Sequence, residues 1–244
     1  MSQQLVLGMI YVVTGATVIG SAPMRLGVDK ETYKDSSGEP LIPGPTIKGV
    51  LRTAACYAAR SLGLSCCGAK NPETMEEVHE VLENTVVING RRYCHVCALF
   101  GAPGLGSALA VESARPLDGV YSLGVRPGLE IDDYTLTARE ARLYYYEVIE
   151  PGSLFSGEIV VDLNVLEERG IRCDALRLLL TGLGYVEAVG TGHGLVKPLI
   201  RWISVGGRRA ENPRDAARLV GCEGLEPRVF ENIWAPGTIR LVEV

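Results

Sequence analysis

Strand, helix, strand, strand, helix, strand: that order of apolar segments predicts an α+β fold of the ferredoxin-like, split β-α-β class. Three observations predict it. Gln4–Thr14 alternates as a strand should. Two segments, 46–62 and 173–183, repeat their apolar residues at helical spacing. Shorter strand-like runs stand at 108–112, 143–149, 158–163 and 195–203, between and after the two helices.

Taken in order, the opening strand is short, contains Gly8 and has no basic leader, so it reads as a strand and not as a signal peptide. The segment 15–40 is long, polar and rich in Gly, Asp and Ser, a length usually functional or disordered. In the first helix Ile47, Val50, Leu51, Ala54, Ala55, Ala58 and Leu62 face the core. Lys48 and Arg52 lie four apart on the opposite, solvent-accessible side near its N-terminus. The stretch 65–101 reads as an insertion with a short helix near 73–82 and a hairpin turn at Asn89-Gly90. Residues 120–140 read as loop or hairpin. Leu143–Ile149 and Glu158–Leu163 read as strands flanking the Pro151-Gly152 turn. Asn212 and Pro213 open a last short helix through Val220.

The chain has 244 residues, 47% apolar and 22% charged, enough to bury a core. No run reaches the roughly 18 apolar residues of a membrane span. With no export signal, the expected location is the cytoplasm. Its seven cysteines are then expected as buried thiols or metal ligands in place of disulfides. A net charge of −5 disfavours coating nucleic acid over the whole surface, so any such site must be a local basic groove.

Five constellations carry candidate chemistry. In Ile42-Pro-Gly-Pro-Thr-Ile-Lys-Gly-Val-Leu-Arg52, two prolines fix the backbone and Gly44 permits a close approach. The helix start offers unpaired N–H groups and a positive dipole end, to which Lys48 and Arg52 add charge: an anion site. Cys94 and Cys97 form the C-x₂-C half of a tetrahedral zinc site. Cys66 or Cys67, or both, complete it, with His79 and His95 in reserve. Gly190-Thr-Gly-His-Gly194 is no dinucleotide fingerprint, since a strand follows it, but it can pack against a nucleic-acid backbone. Asp29 in a loop is a candidate for metal-assisted phosphodiester cleavage. The mixed-charge segment 126–142, with Asp132, Asp133, Arg139 and Arg142, suits a protruding element.

Together these segments resemble the RAMP superfamily of CRISPR–Cas proteins, and within it the backbone subunit of type III effector complexes. The resemblance rests on Pro40–Arg52 (the family's "PxIPGSSLKGxLR"), on Cys94–Gly101, on Pro127–Glu158 and on the late glycine loop. It implies a single domain, 1–244, with a ferredoxin-like (RRM-like) palm. A zinc-bound insertion at 63–107 and a protruding thumb hairpin at 116–142 complete it. It implies guide RNA, target RNA, other effector subunits and copies of the chain itself as partners, and no membrane. Carried over, Pro43, Gly44, Thr46, Lys48 and Arg52 bind the guide, Gly192 and Gly194 approach it, and Arg126 and Thr137 belong to the thumb. Cys66, Cys67, Cys94 and Cys97 hold a structural zinc. Asp29 falls where the family's cleaving Asp stands, with Mg or Mn as its cofactor in members that cut. The departures are Pro45-Thr46 in place of Ser-Ser, Asp133 in place of Arg, and a shorter glycine loop; they suit a divergent or single-copy capping subunit as well.

Overall fold

A computed structural model describes residues 3–20, 29–69, 71–131, 138–189 and 194–236. In chain order its elements are β1 (Gln4–Val13), α1 (Gly44–Ser61), α2 (Pro72–Val81), β2 (Val86–Ile88), β3 (Arg91–Tyr93) and α3 (His95–Phe100). Then come β4 (Leu109–Val111), β5 (Arg115–Pro116), β6 (Leu123–Ile131), β7 (Ala138–Ile149) and β8 (Leu154–Asp162). The chain continues with α4 (Leu163–Glu168), α5 (Arg172–Gly184), β9 (Val196–Val205), β10 (Arg208–Ala210), α6 (Pro213–Val220) and α7 (Pro227–Glu231). It is a mixed α/β molecule built on an antiparallel sheet.

The main sheet runs β10-β9-β1-β8-β4, with β5 also on β8. β1 is central because it can be: Leu5, Leu7, Met9, Tyr11 and Val13 alternate onto one face and are all buried. It pairs antiparallel with β8 on one side and β9 on the other, the latter with a bulge between Gly8 and Met9. That bulge lies where the Trp202 indole crosses Gly8; a Cβ on Gly8 would sit 2.2 Å from the ring.

The helical layer covers the apolar face. α1 buries Ile47, Leu51, Ala54, Ala55 and Ala58 of the predicted stripe and Ala59 beside them, while Val50 and Leu62 are half-buried. α5 buries Leu176, Leu179, Leu180 and Leu183. The two helices approach closely where Gly182 faces Ala55; an added Cβ would lie 3.2 Å from the Ala55 nitrogen. Asn89 and Gly90 both take positive φ, 52° and 79°, the type I′ geometry that their sequence predicts between β2 and β3.

Both strands flanking Pro151-Gly152 form, but they do not pair with each other. One edge of β8 is filled by β1 and the other by β4 and β5, and β7 pairs with β6 as a separate two-stranded ribbon. In the later part of the 15–40 segment Asp29 and Lys30 run beside β7, and Thr32 is fully buried. One expectation needs correcting. The cysteines are not all thiols, because Cys56 pairs with Cys66 and Cys173 with Cys222. Among the described residues no helix is long and apolar enough to cross a membrane.

Candidate metal centre and helix start

The insertion folds as α2, the β2–β3 hairpin and α3. α2 starts on Asn71, whose side chain accepts the Glu73 N–H, with Pro72 in the first turn. Only Met75 and His79 of this helix are buried, one turn apart on the same face. Cys94 caps α3, accepting the Cys97 N–H on its sulfur at 3.3 Å. The result gathers Cys67, His79, Cys94 and Cys97, whose ligand atoms all lie within 4.8 Å of one another.

This donor set fits a metal ion. His79 is 1% exposed, and its Nε2 is buried with no hydrogen-bond partner among the described residues. Cys67 Sγ and Cys97 Sγ are 3.6 Å apart; two ligands with bonds of about 2.3 Å at tetrahedral angles are separated by about 3.8 Å. Hydrogen bonds from Cys94 and Cys97 hold the Cys67 thiol far below its ordinary range and push their own thiols up, so the negative charge of the metal-free cluster sits on Cys67.

Cys66 does not join the cluster. Its sulfur is bonded to Cys56 of α1, and His79 supplies the fourth donor instead. His95 stands apart too: its Nδ1 lies 2.8 Å from the Ser65 hydroxyl. One signal could have selected His79 from the sequence, its place one turn after Met75 on the apolar side of a short polar helix.

The start of α1 is already occupied by the protein itself. Gly44 N–H donates to Ser113 Oγ at 3.1 Å, Pro45 has no N–H, and Thr46 N–H donates to the Pro43 carbonyl at 3.0 Å. The expected cradle of open amides is therefore closed at these three positions. Gly44 does permit a close approach, but its neighbour is this chain: a Cβ there would lie 2.1 Å from the Val111 carbonyl oxygen.

The two cations also point inward. Lys48 Nζ donates to Ser107 Oγ at 2.8 Å and to the Leu109 carbonyl at 3.3 Å. Burial first, and the Arg52 charge second, lower its pKa. Arg52 donates to the Gly101 carbonyl at 2.8 Å and to Cys97 Sγ at 2.9 Å. Beside them an open cleft of about 1170 Å³ separates α1 from the insertion, lined by Arg52, Tyr57, Arg60, Cys67 and Met75 among others.

The remaining candidates are dispersed. Asp29 is exposed, and its Oδ2 accepts the Tyr145 N–H at 2.7 Å, which fixes it against β7. Among the described residues it shares no metal-sized cluster with other acidic or histidine side chains. Arg126 lies on β6 and pairs with Glu150 at 2.8 Å. Gly194 packs against this chain, an added Cβ lying 2.7 Å from the Thr17 methyl and 2.8 Å from the Val189 carbonyl. Thr137 and Gly192 lie outside the described residues.

Comparison with known proteins bears on the whole frame. No curated protein matches the sequence. Among solved structures, the chain is similar to the cryo-EM structure of the type III-B Cmr-beta bound to cognate target RNA. That match has a TM-score of 0.47 and 17% identity, covering 84% of this chain and 61% of that one. The chain thus spans less than two thirds of that relative's length. The RAMP superfamily model matches residues 10–210, from β1 to the end of β10. That span includes the end of the central strand, both core helices and the four-donor cluster, and the chain belongs to the RAMP superfamily.

Proposed function

We propose that the chain is a guide-RNA-binding backbone subunit of a type III CRISPR effector, with a structural zinc in its insertion. The observation that carries this reading is the family match over 10–210 together with the strand order. Counting β1, β4, β8 and β9 as first to fourth, the sheet order is fourth-first-third-second, the order of a ferredoxin-like palm. On that palm the segment 63–107 is the zinc-bound lid, and the segment 116–142, which holds β6 and the start of β7, is the thumb.

In this reading the palm grips backbone phosphates while base pairing between guide and target reads sequence. Lys48 and Arg52 keep donors for the task. An ammonium has three N–H groups and a guanidinium five, and each side chain gives two bonds to protein. Zinc suits a set of three cysteines and one histidine, three of the four buried, where it supplies folding energy. Asp29 cleaves target RNA with Mg or Mn.

The test uses the assembled complex with its guide. Lys48→Ala weakens guide binding and lowers the salt dependence of log K by about 0.7 for a lost single-strand phosphate contact. Asp29→Ala abolishes target cutting while binding persists; cutting that continues unchanged removes the catalytic role. A second reading, a non-catalytic capping or bridging subunit, is favoured by the closed helix start and the inward cations. Native mass spectrometry separates the two: several copies per complex support the backbone role, one copy supports the cap.

A further inference from the structure

Arg52 does something the RNA-binding reading does not account for. Its guanidinium bridges the last turn of α3. One nitrogen reaches Cys97 Sγ, and the other reaches the carbonyl of Gly101, the residue that ends the helix. Gly101 N–H in turn donates to the Cys97 carbonyl at 2.9 Å. A planar fork therefore holds a sulfur of the four-donor cluster and the end of its supporting helix in one geometry. The fork stands on α1, the longest helix of the fold.

We propose that Arg52 is a positioning residue of the metal centre: it fixes and charge-balances the Cys97 thiolate and so couples metal binding to α1. This rests on the reading of the cluster as a metal centre. The charge argument is simple. A divalent ion with three thiolates and a neutral imidazole carries one surplus negative charge. Arg52 is a cation touching one of those sulfurs. A hydrogen bond from a cation is about twice as strong as a neutral one, and the guanidinium remains charged at any working pH. Lysine cannot replace it, because one ammonium on a flexible stem does not reproduce a planar fork. Ligand-supporting contacts of this kind typically alter metal affinity by about 10- to 100-fold.

The experiment titrates cobalt(II) into the full, metal-free chain and into Arg52→Gln, Arg52→Lys and Arg60→Gln. Arg60 lies two turns further along α1 and is exposed. Cobalt reports affinity and thiolate character together, through its sulfur-to-metal charge-transfer band. Arg52→Gln is expected to bind about 10- to 100-fold more weakly, with the band moved to lower energy as the thiolate loses a charged donor. Arg52→Lys keeps the charge without the fork and falls between, and it carries the test if Arg52→Gln does not fold. Arg60→Gln matches the unmodified chain. Unchanged affinity and an unshifted band in a folded Arg52 variant overturn the proposal and leave the metal centre standing. An unmodified chain that takes up no cobalt overturns both.

Discussion

Replacing Gly44 by alanine gives opposite results under two accounts of that glycine. If Gly44 serves only to let RNA approach, alanine costs nothing in the free chain, and the better helix former adds up to about 1 kcal/mol. The geometry says otherwise. An added Cβ lies 2.1 Å from the Val111 carbonyl oxygen, while ordinary contact begins at 3.4 Å, so something must move by about 1.3 Å. Neither side yields easily. Val111 is held in β4 by its pairing with Ile159 of β8. The start of α1 is pinned by Gly44 N–H to Ser113 and by the exchange of bonds between Ile42 and Ala114. Forcing atoms into a packed site costs about 1–3 kcal/mol, and a backbone obstacle puts this one at the upper end. Net of helix propensity, Gly44→Ala should lose about 2 kcal/mol, or about 4–8 °C in Tm for a chain of this size. Gly49 is the internal control. It is exposed in the same helix with nothing within 4 Å of its would-be Cβ, so Gly49→Ala should gain about 0.5–1 kcal/mol. Thermal melts of the purified, RNA-free chain decide it. A Gly44→Ala protein as stable as the unmodified one refutes the packing argument.

Other perturbations have equally definite outcomes. Cys173→Ser opens a bond across a sequence separation of 49 and should cost about 4 kcal/mol by chain entropy, read as a lower urea midpoint under oxidising conditions. Alkylation of the denatured, unreduced and chelated chain should modify three of the seven cysteines, Cys67, Cys94 and Cys97; seven modified sites would contradict both pairings. His79→Ala removes a buried donor and should abolish tight metal uptake and expose the 63–83 region to protease, whereas His95→Ala should retain the metal. Asp35 is held at a pKa of about 2 by the Ser37 hydroxyl first, then by the Ser37 and Glu39 amides and Arg115. A depressed carboxyl pKa stabilises above the ordinary carboxylate range and loses that contribution as pH falls toward 2. Asp35→Asn should therefore flatten the acid limb of a melting curve between about pH 4 and 2; an unchanged limb refutes it.

Periodicity was a reliable guide wherever an element was long and one face met the core. β1, α1 and α5 each read correctly for that reason, and the Asn89-Gly90 turn because few other dipeptides accept two positive φ values. α3 was not legible, since six residues that are all buried have no polar face to set a period. The pairing of β7 with β6 depended on which edges of β8 were already taken, a fact of the whole sheet. The four-donor set was half legible. Cys94 and Cys97 announce themselves by spacing, but Cys66 and Cys67 are adjacent and differ only in which neighbour each meets, Cys56 or the cluster. Lys48 and Arg52 do share one side of α1, but that side was read as facing solvent and both are half-buried there. What faces that side, residues 97–109, is supplied by chain some fifty positions later.

That last point changes how the insertion relates to the palm. α2 has ten residues and buries two, and an isolated helix shorter than about 12–15 residues is marginal in water. Its own burial is slight, and a metal held by His79 would add an anchor, with Cys67 anchoring the chain before it. Cys94 and Cys97 fix α3, and Arg52 joins α3 to α1. The connection runs from α2 through the four donors to α3, and from α3 through one guanidinium to the helix on which the palm is built. Loss of a bound metal should then loosen more than the insertion, because Arg52 would grip a Cys97 sulfur that no ion holds in place. The side of α1 that carries Lys48 and Arg52 would lose an anchor at the same moment. Through its 2.9 Å contact with Cys97, Arg52 thus ties the side of α1 proposed to meet RNA to the cluster proposed to hold a metal.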